Sequence, residues 1–305
     1  MKIIFMGSPN FAVPSLRKIL ATKNEVVAVY SQPGRRLGRG LQKESSTVSS
    51  YATQHGLYVL TPVSMDETYE EFCALFPDIV IVVAYGQLVP ERFLTVPKYG
   101  FINVHPSSLP RWRGASPIER AIMAGDKETA VCIMKLVKEL DAGDIILQQK
   151  IFLDSKTTAK ELHDRASVIG ADLLMQTLDL LEKSRQFISF PQSNVGITYA
   201  QKILPTERRI NFSKNVRNIY NLVRSFSPSP GAYFFHKEER IKIITANFYE
   251  KKHESHFGQV IDHELTIACN GGFLKPLLLQ RAGRKMLYTD AFLRGYPIPA
   301  FSQLL

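Results

Sequence analysis

An α/β domain with an open, mostly parallel sheet, followed by a small C-terminal β-barrel, is the fold the sequence predicts. Three observations carry this. Short apolar runs alternate with helically spaced segments as far as residue 184. The run DIVIVV at 78–83 is almost wholly apolar, as a strand buried on both faces must be. Beyond a polar stretch, the chain then turns to short β-like runs.

Taken in order, residues 2–6 read as a first strand and 12–20, with helical spacing, as the helix after it. Residues 25–30 form a Val-rich strand, 66–75 a helix, 78–83 the buried strand and 101–105 another. Residues 116–124 read as a helix because Pro117 suits a first helical turn, where its missing N–H leaves no bond unmade. Residues 130–137 and 145–152 are expected as a strand pair, and 158–181 as a long helix. Helices alternating with strands supply the crossovers an open α/β sheet requires. This first domain is assigned residues 1–184. Residues 184–203 are polar and lack sustained periodicity, so 185–206 read as a linker. A helix at 216–225 has Val216, Ile219, Tyr220 and Val223 on one face. Short strands follow at 232–235, 241–246, 259–261, 265–268 and 273–279, a series that fits a small barrel of the oligonucleotide-binding (OB) type. The barrel domain is assigned residues 207–305.

The 305 residues are 45% hydrophobic and 22% charged, which excludes a disordered, collagen-like or disulfide-stapled chain. Cys73, Cys132 and Cys269 are scattered and offer neither a disulfide framework nor a metal-ligand spacing, so no metal is expected. No run approaches the ~18 apolar residues of a membrane span. The apolar start of MKIIFMGSPNF is too short for a signal peptide, and a cytoplasmic protein is expected. The charge is less ordinary. Of a net +10, residues 201–305 hold +8, from 16 Lys/Arg against 8 Asp/Glu, leaving +2 for residues 1–200. Such asymmetry suggests a polyanionic partner, nucleic acid first, although a solvated basic face carries the same signature.

The first strand ends in Gly7-Ser8-Pro9, a place where open α/β sheets bind ligands. A dinucleotide fingerprint needs several spaced glycines there. With one glycine, and Pro9 and Pro14 following, a nicotinamide-dependent oxidoreductase is the weakest option. The stretch FINVHPSSLPRWRGASPIERA is more informative. Strand alternation puts Asn103 and His105 on one face at the C-terminal end of a strand. An Asn amide and an imidazole side by side can donate hydrogen bonds to a developing oxyanion, and the imidazole can move a proton at neutral pH. A satisfied structural histidine would read the same way. Leu140-Asp141-Ala142-Gly143-Asp144 offers carboxylates in a turn, where turn chemistry alone also explains Asp.

Asn103-Val104-His105-Pro106-Ser107 with Leu109-Pro110, followed 36 residues after the His by Leu140-Asp141-Ala142-Gly143, resembles the signature of folate-dependent formyltransferases. MGSPNFAVPSL near the start, AYGQLVP at 84–90, RWRGASPI at 111–118 and TYAQKI at 198–203 are similar to the tRNA-acting branch of that family, in order over nearly the whole chain. The resemblance implies a Rossmann-like formyltransferase domain with Asn103, His105 and Asp141 as its catalytic trio. It implies 10-formyltetrahydrofolate as formyl donor and the amino group of methionyl initiator tRNA as acceptor, in translation initiation. The amine attacks directly, so no covalent enzyme intermediate is required.

The same resemblance lays the pterin against Ala84, Tyr85, Gly86, Gln87 and Leu88, largely through backbone groups, and against Val137 and the residues up to Asp141. Ser107, Ser108, Leu109 and Pro110 would line the other side. It gives the tRNA two contact regions. One is the Gly-rich loop at 33–40 with Arg35, Arg36 and Arg39, and Lys43 just beyond. The other is the basic approach to the barrel, with Lys202, Arg208 and Arg209. The aromatics Tyr220, Phe226, Tyr233, Phe234 and Phe235 are strand- or helix-spaced and read as core. Ser8, Asn10, Ser108, Leu41-Gln42 and Lys138-Glu139 depart from the usual family residues, and none belongs to the trio. A monomer is expected. Two rivals share much of this pattern: a sugar-nucleotide N-formyltransferase, and an inactive RNA-binding relative. The arginine loop and basic barrel argue against the first, the intact trio against the second.

Overall fold

The computed structural model describes residues 1–37 and 42–305. The chain packs as two units. One comprises Met1–Pro117, Glu128–Ile151 and His163–Ala200, the other Ile118–Lys127, Phe152–Leu162 and Gln201–Leu305.

The first unit is built on a seven-stranded sheet. From edge to edge it runs Ile145–Phe152, Glu128–Lys135, Phe101–His105, Ile79–Val83, Lys2–Gly7, Glu25–Tyr30 and Val59–Leu60. Pairing is parallel from Phe101–His105 to Val59–Leu60, and Glu128–Lys135 joins Phe101–His105 antiparallel. Every residue of Ile79–Val83 and of Phe101–His105 is buried, which is why both strands lack polar alternation except at the functional positions. The long helix runs Ala159–Ser184. Its start is a capping box: Glu161 Oε2 accepts from Thr158 N at 2.8 Å, and Thr158 Oγ1 accepts from Glu161 N at 3.3 Å.

Several short elements are absent from the sequence reading. Helix Thr47–Gln54 buries only Val48, Ser49 and Ala52, too few apolar positions to show a period, and depends on the Ser46 hydroxyl accepting from Ser49 N at 3.0 Å. Helix Glu91–Leu94 and strand Val59–Leu60 span four and two residues, too short for any pattern. The polar stretch after residue 185 also does more than connect. Phe190 exchanges both backbone hydrogen bonds with Ile145 at 2.9 Å, and Tyr199–Ala200 pairs in parallel with Arg113–Gly114. Its side chains are polar because they bond back to the first unit, to which it belongs as far as Ala200.

The second unit holds a five-stranded antiparallel sheet that curls into a half-barrel. Its order is Ala232–His236, Glu239–Glu250, Gly272–Arg281 and Ile267–Cys269, with Met286–Tyr288 also on Gly272–Arg281. Register shifts in Glu239–Glu250 between Ile243 and Ala246 mark the bulges that bend it. Helix Val216–Ser225 turns Val216, Ile219 and Val223 into a core with Phe212, Phe234, Ile243 and Leu274. Residues 259–261, expected as a strand, make only single bridges, Val260 to Ile267 and Gln259 to Gln303. The chain turns at once at Asp262, whose carboxylate accepts from Glu264 N at 2.9 Å and Thr266 N at 3.0 Å. The fifth strand is instead Met286–Tyr288, exposed throughout and so without an apolar signature.

Candidate active site

Lys2–Gly7, Ile79–Val83 and Phe101–His105 are neighbouring parallel strands, so the loops at their C-terminal ends leave one edge of the sheet together. Asn103 and His105 stand at that edge, 8% and 4% exposed. Asp141 reaches them from the turn between Glu128–Lys135 and Ile145–Phe152, with its backbone in the left-handed region at φ 47°. The turn closes tightly on itself. A Cβ on Gly143 would lie 1.9 Å from the Lys135 carbonyl oxygen, so only glycine fits there.

The Asp141 carboxylate is the common partner. Its Oδ2 accepts from Gly114 N at 2.7 Å, and its Oδ1 receives the Asn103 amide at 3.5 Å. His105 Nδ1 lies 3.6 Å from Oδ2, beyond hydrogen-bond range but close enough for an ion pair when the ring carries both protons. The other ring nitrogen, Nε2, faces the Trp112 carbonyl oxygen at 3.0 Å. A carbonyl can only accept, so Nε2 bears the hydrogen and Nδ1 is the nitrogen left to exchange one.

Two positioning residues come from the segment read as linker. Gln192 Nε2 donates to the carbonyls of Asp141 and Gly143, both at 2.8 Å, and its Oε1 accepts from buried Arg113 at 3.1 and 2.8 Å. Thr198 Oγ1 accepts from Trp112 N at 2.9 Å, fixing the residue whose carbonyl orients His105. Thr198 lay within a quoted motif without a role, and nothing in the spacing around Gln192 pointed to it.

Around this cluster lie the residues expected to hold folate. Ala84 and Gly86 both have positive φ, at 49° and 87°, so the loop after Ile79–Val83 turns sharply. Tyr85 buries its ring and donates its hydroxyl to Met65 Sδ at 3.2 Å, and burial raises the pKa of that phenol. Only the backbone of Tyr85 remains for a ligand, and its carbonyl accepts from Ser8 Oγ at 2.8 Å. Ser8 Oγ also accepts from Gln32 N at 3.0 Å, so this departure from the family residue still ties three loops together. Gln87 donates to the Pro62 carbonyl at 2.9 Å, whereas Leu88 and Val137 are exposed. Ser107 is wholly buried and donates to the Arg111 carbonyl at 2.7 Å, and Leu109 packs on Cys132 and Met134. Ser108 and Pro110 are half-buried. Lys138, another departure, pairs with Glu91 at 2.9 Å.

Of the expected tRNA contacts, Arg39 lies outside the described residues. Arg35, Arg36 and Lys43 fall on a two-stranded ribbon, Arg35–Leu37 against Gln42–Glu44. In the second unit Lys202 and Arg209 are exposed and Arg208 is half-buried. Alternation along Ala232–His236 buries Phe234 but leaves Tyr233 and Phe235 half-exposed, correcting their assignment to the core. Arg209 lies over the Phe235 ring and Arg240 over the Tyr233 ring, each 5.4 Å from the centroid. Burial, with Arg240 and Arg208 nearby, holds the Lys242 ammonium below the usual lysine range. Among the described residues, no three His, Cys, Asp or Glu side chains converge as a metal site, and no helix is long and apolar enough to cross a membrane.

A strand-end Asn and His gathered around one turn carboxylate, on a mostly parallel sheet, belong to a class of group-transfer enzymes that family models identify. The formyl transferase model matches residues 1–178, and the formyl transferase C-terminal domain model matches residues 202–297. A methionyl-tRNA formyltransferase of Rickettsia bellii is 40% identical over 306 residues, covering 100% of both chains. One from Brucella anthropi is 44% identical over 302 residues, covering 97% of this chain and 98% of its own. The chain belongs to the methionyl-tRNA formyltransferase family. In fold alone it is also similar to an N-formyltransferase from Helicobacter canadensis solved with folinic acid and dTDP-3-aminofucose. That likeness has a TM-score of 0.70 at 20% identity, covering 92% of this chain and 99% of that one.

Proposed function

We propose that this chain transfers the formyl group of 10-formyltetrahydrofolate to the amino group of methionyl initiator tRNA. Identity of 40–44% over the full length of relatives named for that reaction supports the acceptor. The Asp141 carboxylate, shared by Asn103, Gly114 and His105, is the observation that carries the chemistry.

In this reading the amine nitrogen attacks the formyl carbon, and negative charge grows on the formyl oxygen. Asn103 keeps one N–H turned to Asp141 and has a second for that oxygen, while a protonated His105 adds positive charge beside it. The bond from carbon to the folate nitrogen then breaks. That nitrogen is a weakly basic aryl amine and must gain the proton the attacking amine loses. His105 Nδ1 is the group that exchanges it, directly or through a water, and Asp141 offsets the charge His105 acquires. No metal is needed.

The pterin is assigned to the backbone of Ala84, Tyr85, Gly86, Gln87 and Leu88 and to Val137, opposite Ser107, Ser108, Leu109 and Pro110. In this proposal residues 1–184 carry the chemistry, the stretch to Ala200 braces the site from within the same unit, and 207–305 hold the tRNA. Arg35, Arg36, Arg39 and Lys43 would meet the acceptor stem, and Lys202, Arg208 and Arg209 the RNA beyond it. The proposal is of a cytoplasmic monomer.

Labelled 10-formyltetrahydrofolate supplied with charged methionyl initiator tRNA, uncharged tRNA or an amino sugar nucleotide tests the acceptor. Label should enter the charged tRNA alone. Formylation of the sugar and not the tRNA would overturn the assignment.

A further inference from the structure

The second unit carries a partly open cavity of about 190 Å³ that the proposed reaction does not use. It is roughly six times the ~30 Å³ share of one liquid water, room for a small polyatomic ion with part of its hydration. Its wall includes Lys156, Arg224, Ser227 and Asn247, and no acidic residue.

Arg224 is 6% exposed, yet among the described residues no carboxylate forms an ion pair with it. Its guanidinium donates only to neutral acceptors: Asn221 Oδ1 at 3.0 Å, the Thr157 carbonyl at 3.0 Å and the Ile122 carbonyl at 3.3 Å. A guanidinium has five N–H groups and stays charged in proteins, so two donors remain. Burial holds this group below the usual arginine range, and the nearby Asp154 carboxylate offsets only part of that. Lys156, also on the wall, has no ion-pair partner among the described residues. Ser227 is 4% exposed and lines the cavity as well.

Asp154, whose charge reaches Arg224, and Glu161 on the adjoining helix start already accept other hydrogen bonds. Asp154 accepts from Lys156 N and Thr157 N at 2.7 Å and from Thr157 Oγ1 at 3.0 Å. Glu161 accepts from Thr158 N and Thr158 Oγ1, at 2.8 and 2.9 Å. Two cations and buried Ser227 therefore line one cavity whose wall carries no acidic side chain. We propose that this cavity is a binding site for a phosphate group, held by Arg224, Lys156 and Ser227.

The phosphate could be a free ion or one from an RNA backbone, and one set of measurements separates the two. Arg224 is too buried for a clean variant, so the full chain is compared with Lys156→Ala and Ser227→Ala. Thermal unfolding and calorimetry are run in inorganic phosphate against chloride at matched ionic strength. Phosphate should raise Tm more than chloride does, and each variant should weaken phosphate binding about tenfold, as losing a charge-assisted hydrogen bond does. If the natural ligand is RNA, phosphate will also compete with tRNA, and Lys156→Ala will reduce the salt slope of tRNA binding by about one. If it is the free ion, tRNA binding will be the same in Lys156→Ala and the parent chain. Equal responses to phosphate and chloride, or unchanged phosphate affinity in both variants, would sink the proposal.

Discussion

His105 is oriented from both ring nitrogens. Nε2–H is fixed by the Trp112 carbonyl at 3.0 Å, and Nδ1 lies 3.6 Å from the Asp141 carboxylate. Replacing it with alanine removes the exchanging nitrogen and the charge beside the developing oxyanion, but no group proposed to touch the tRNA. His105→Ala should therefore lower kcat at least ~10²-fold with little change in tRNA affinity. Steady-state kinetics with a separate tRNA-binding assay checks this, and near-normal turnover would remove His105 from the mechanism. Strand alternation was enough to put Asn103 and His105 side by side, because period-two geometry is local. Asp141 is different. It lies 36 residues beyond His105, at a left-handed φ in a turn with ordinary turn residues, and spacing alone assigned it nothing. Only the resemblance joined it to the other two. Tyr85 shows the converse, since its place in a loop gives no hint that its ring belongs to the core.

At the scale of elements, the long apolar pieces were legible and the short polar ones were not. Ile79–Val83, Phe101–His105 and Ala159–Ser184 bury enough surface to leave a pattern. The segment from 185 to Ala200 is held by backbone pairing and side-chain amides, which hydrophobic periodicity cannot register. Gln192 is the clearest case. Gln192→Ala removes both donors holding the Asp141 turn and leaves buried Arg113 without its acceptor. An unsatisfied buried donor of this kind costs about 1–3 kcal/mol. Both Tm and kcat should fall while KM for the tRNA stays unchanged, a split that thermal melts and kinetics on one preparation would show. A second element effect is electrostatic. Glu207 makes a two-pronged pair with Arg120 at 2.7 and 3.1 Å and accepts from Leu204 N at 2.8 Å. The Arg120 guanidinium first, then the Leu204 N–H, holds its carboxyl below the usual range. A depressed carboxyl stabilises the fold above the unfolded value, about 4.3, and loses that contribution as pH falls through the folded value. Glu207→Gln should be less stable than the parent at neutral pH, and the gap should close on acidification. Melting curves from about pH 6 to about pH 3 test the sign.

For the whole molecule, the excess charge and the chemistry occupy different parts of the sequence. Of the net +10, +8 lies in residues 201–305, and the Asn103–His105–Asp141 cluster lies outside them. In the second unit, Arg209 and Arg240 sit over half-exposed aromatic rings, an arrangement suited to RNA phosphates and bases. Reversing both charges should reduce the salt slope of tRNA binding by about two while leaving kcat at saturating tRNA intact. A lowered kcat would mean the basic face also positions the reacting end. The natural shortcut, excising residues 207–305 and titrating them alone, should fail, for a reason only the packing reveals. The second unit takes Ile118–Lys127 and Phe152–Leu162 from the middle of the chain. From those segments come the Ile122 and Thr157 carbonyls that bind the Arg224 guanidinium, and Met123, which packs on the barrel core. Cut at 207, the fragment keeps buried Arg224 with Asn221 as its sole protein acceptor among these three. A buried cation stripped of its acceptors is among the costlier defects a small domain can carry. The excised fragment should therefore show no cooperative thermal transition, and a sharp melt would mean the two inserted segments are dispensable.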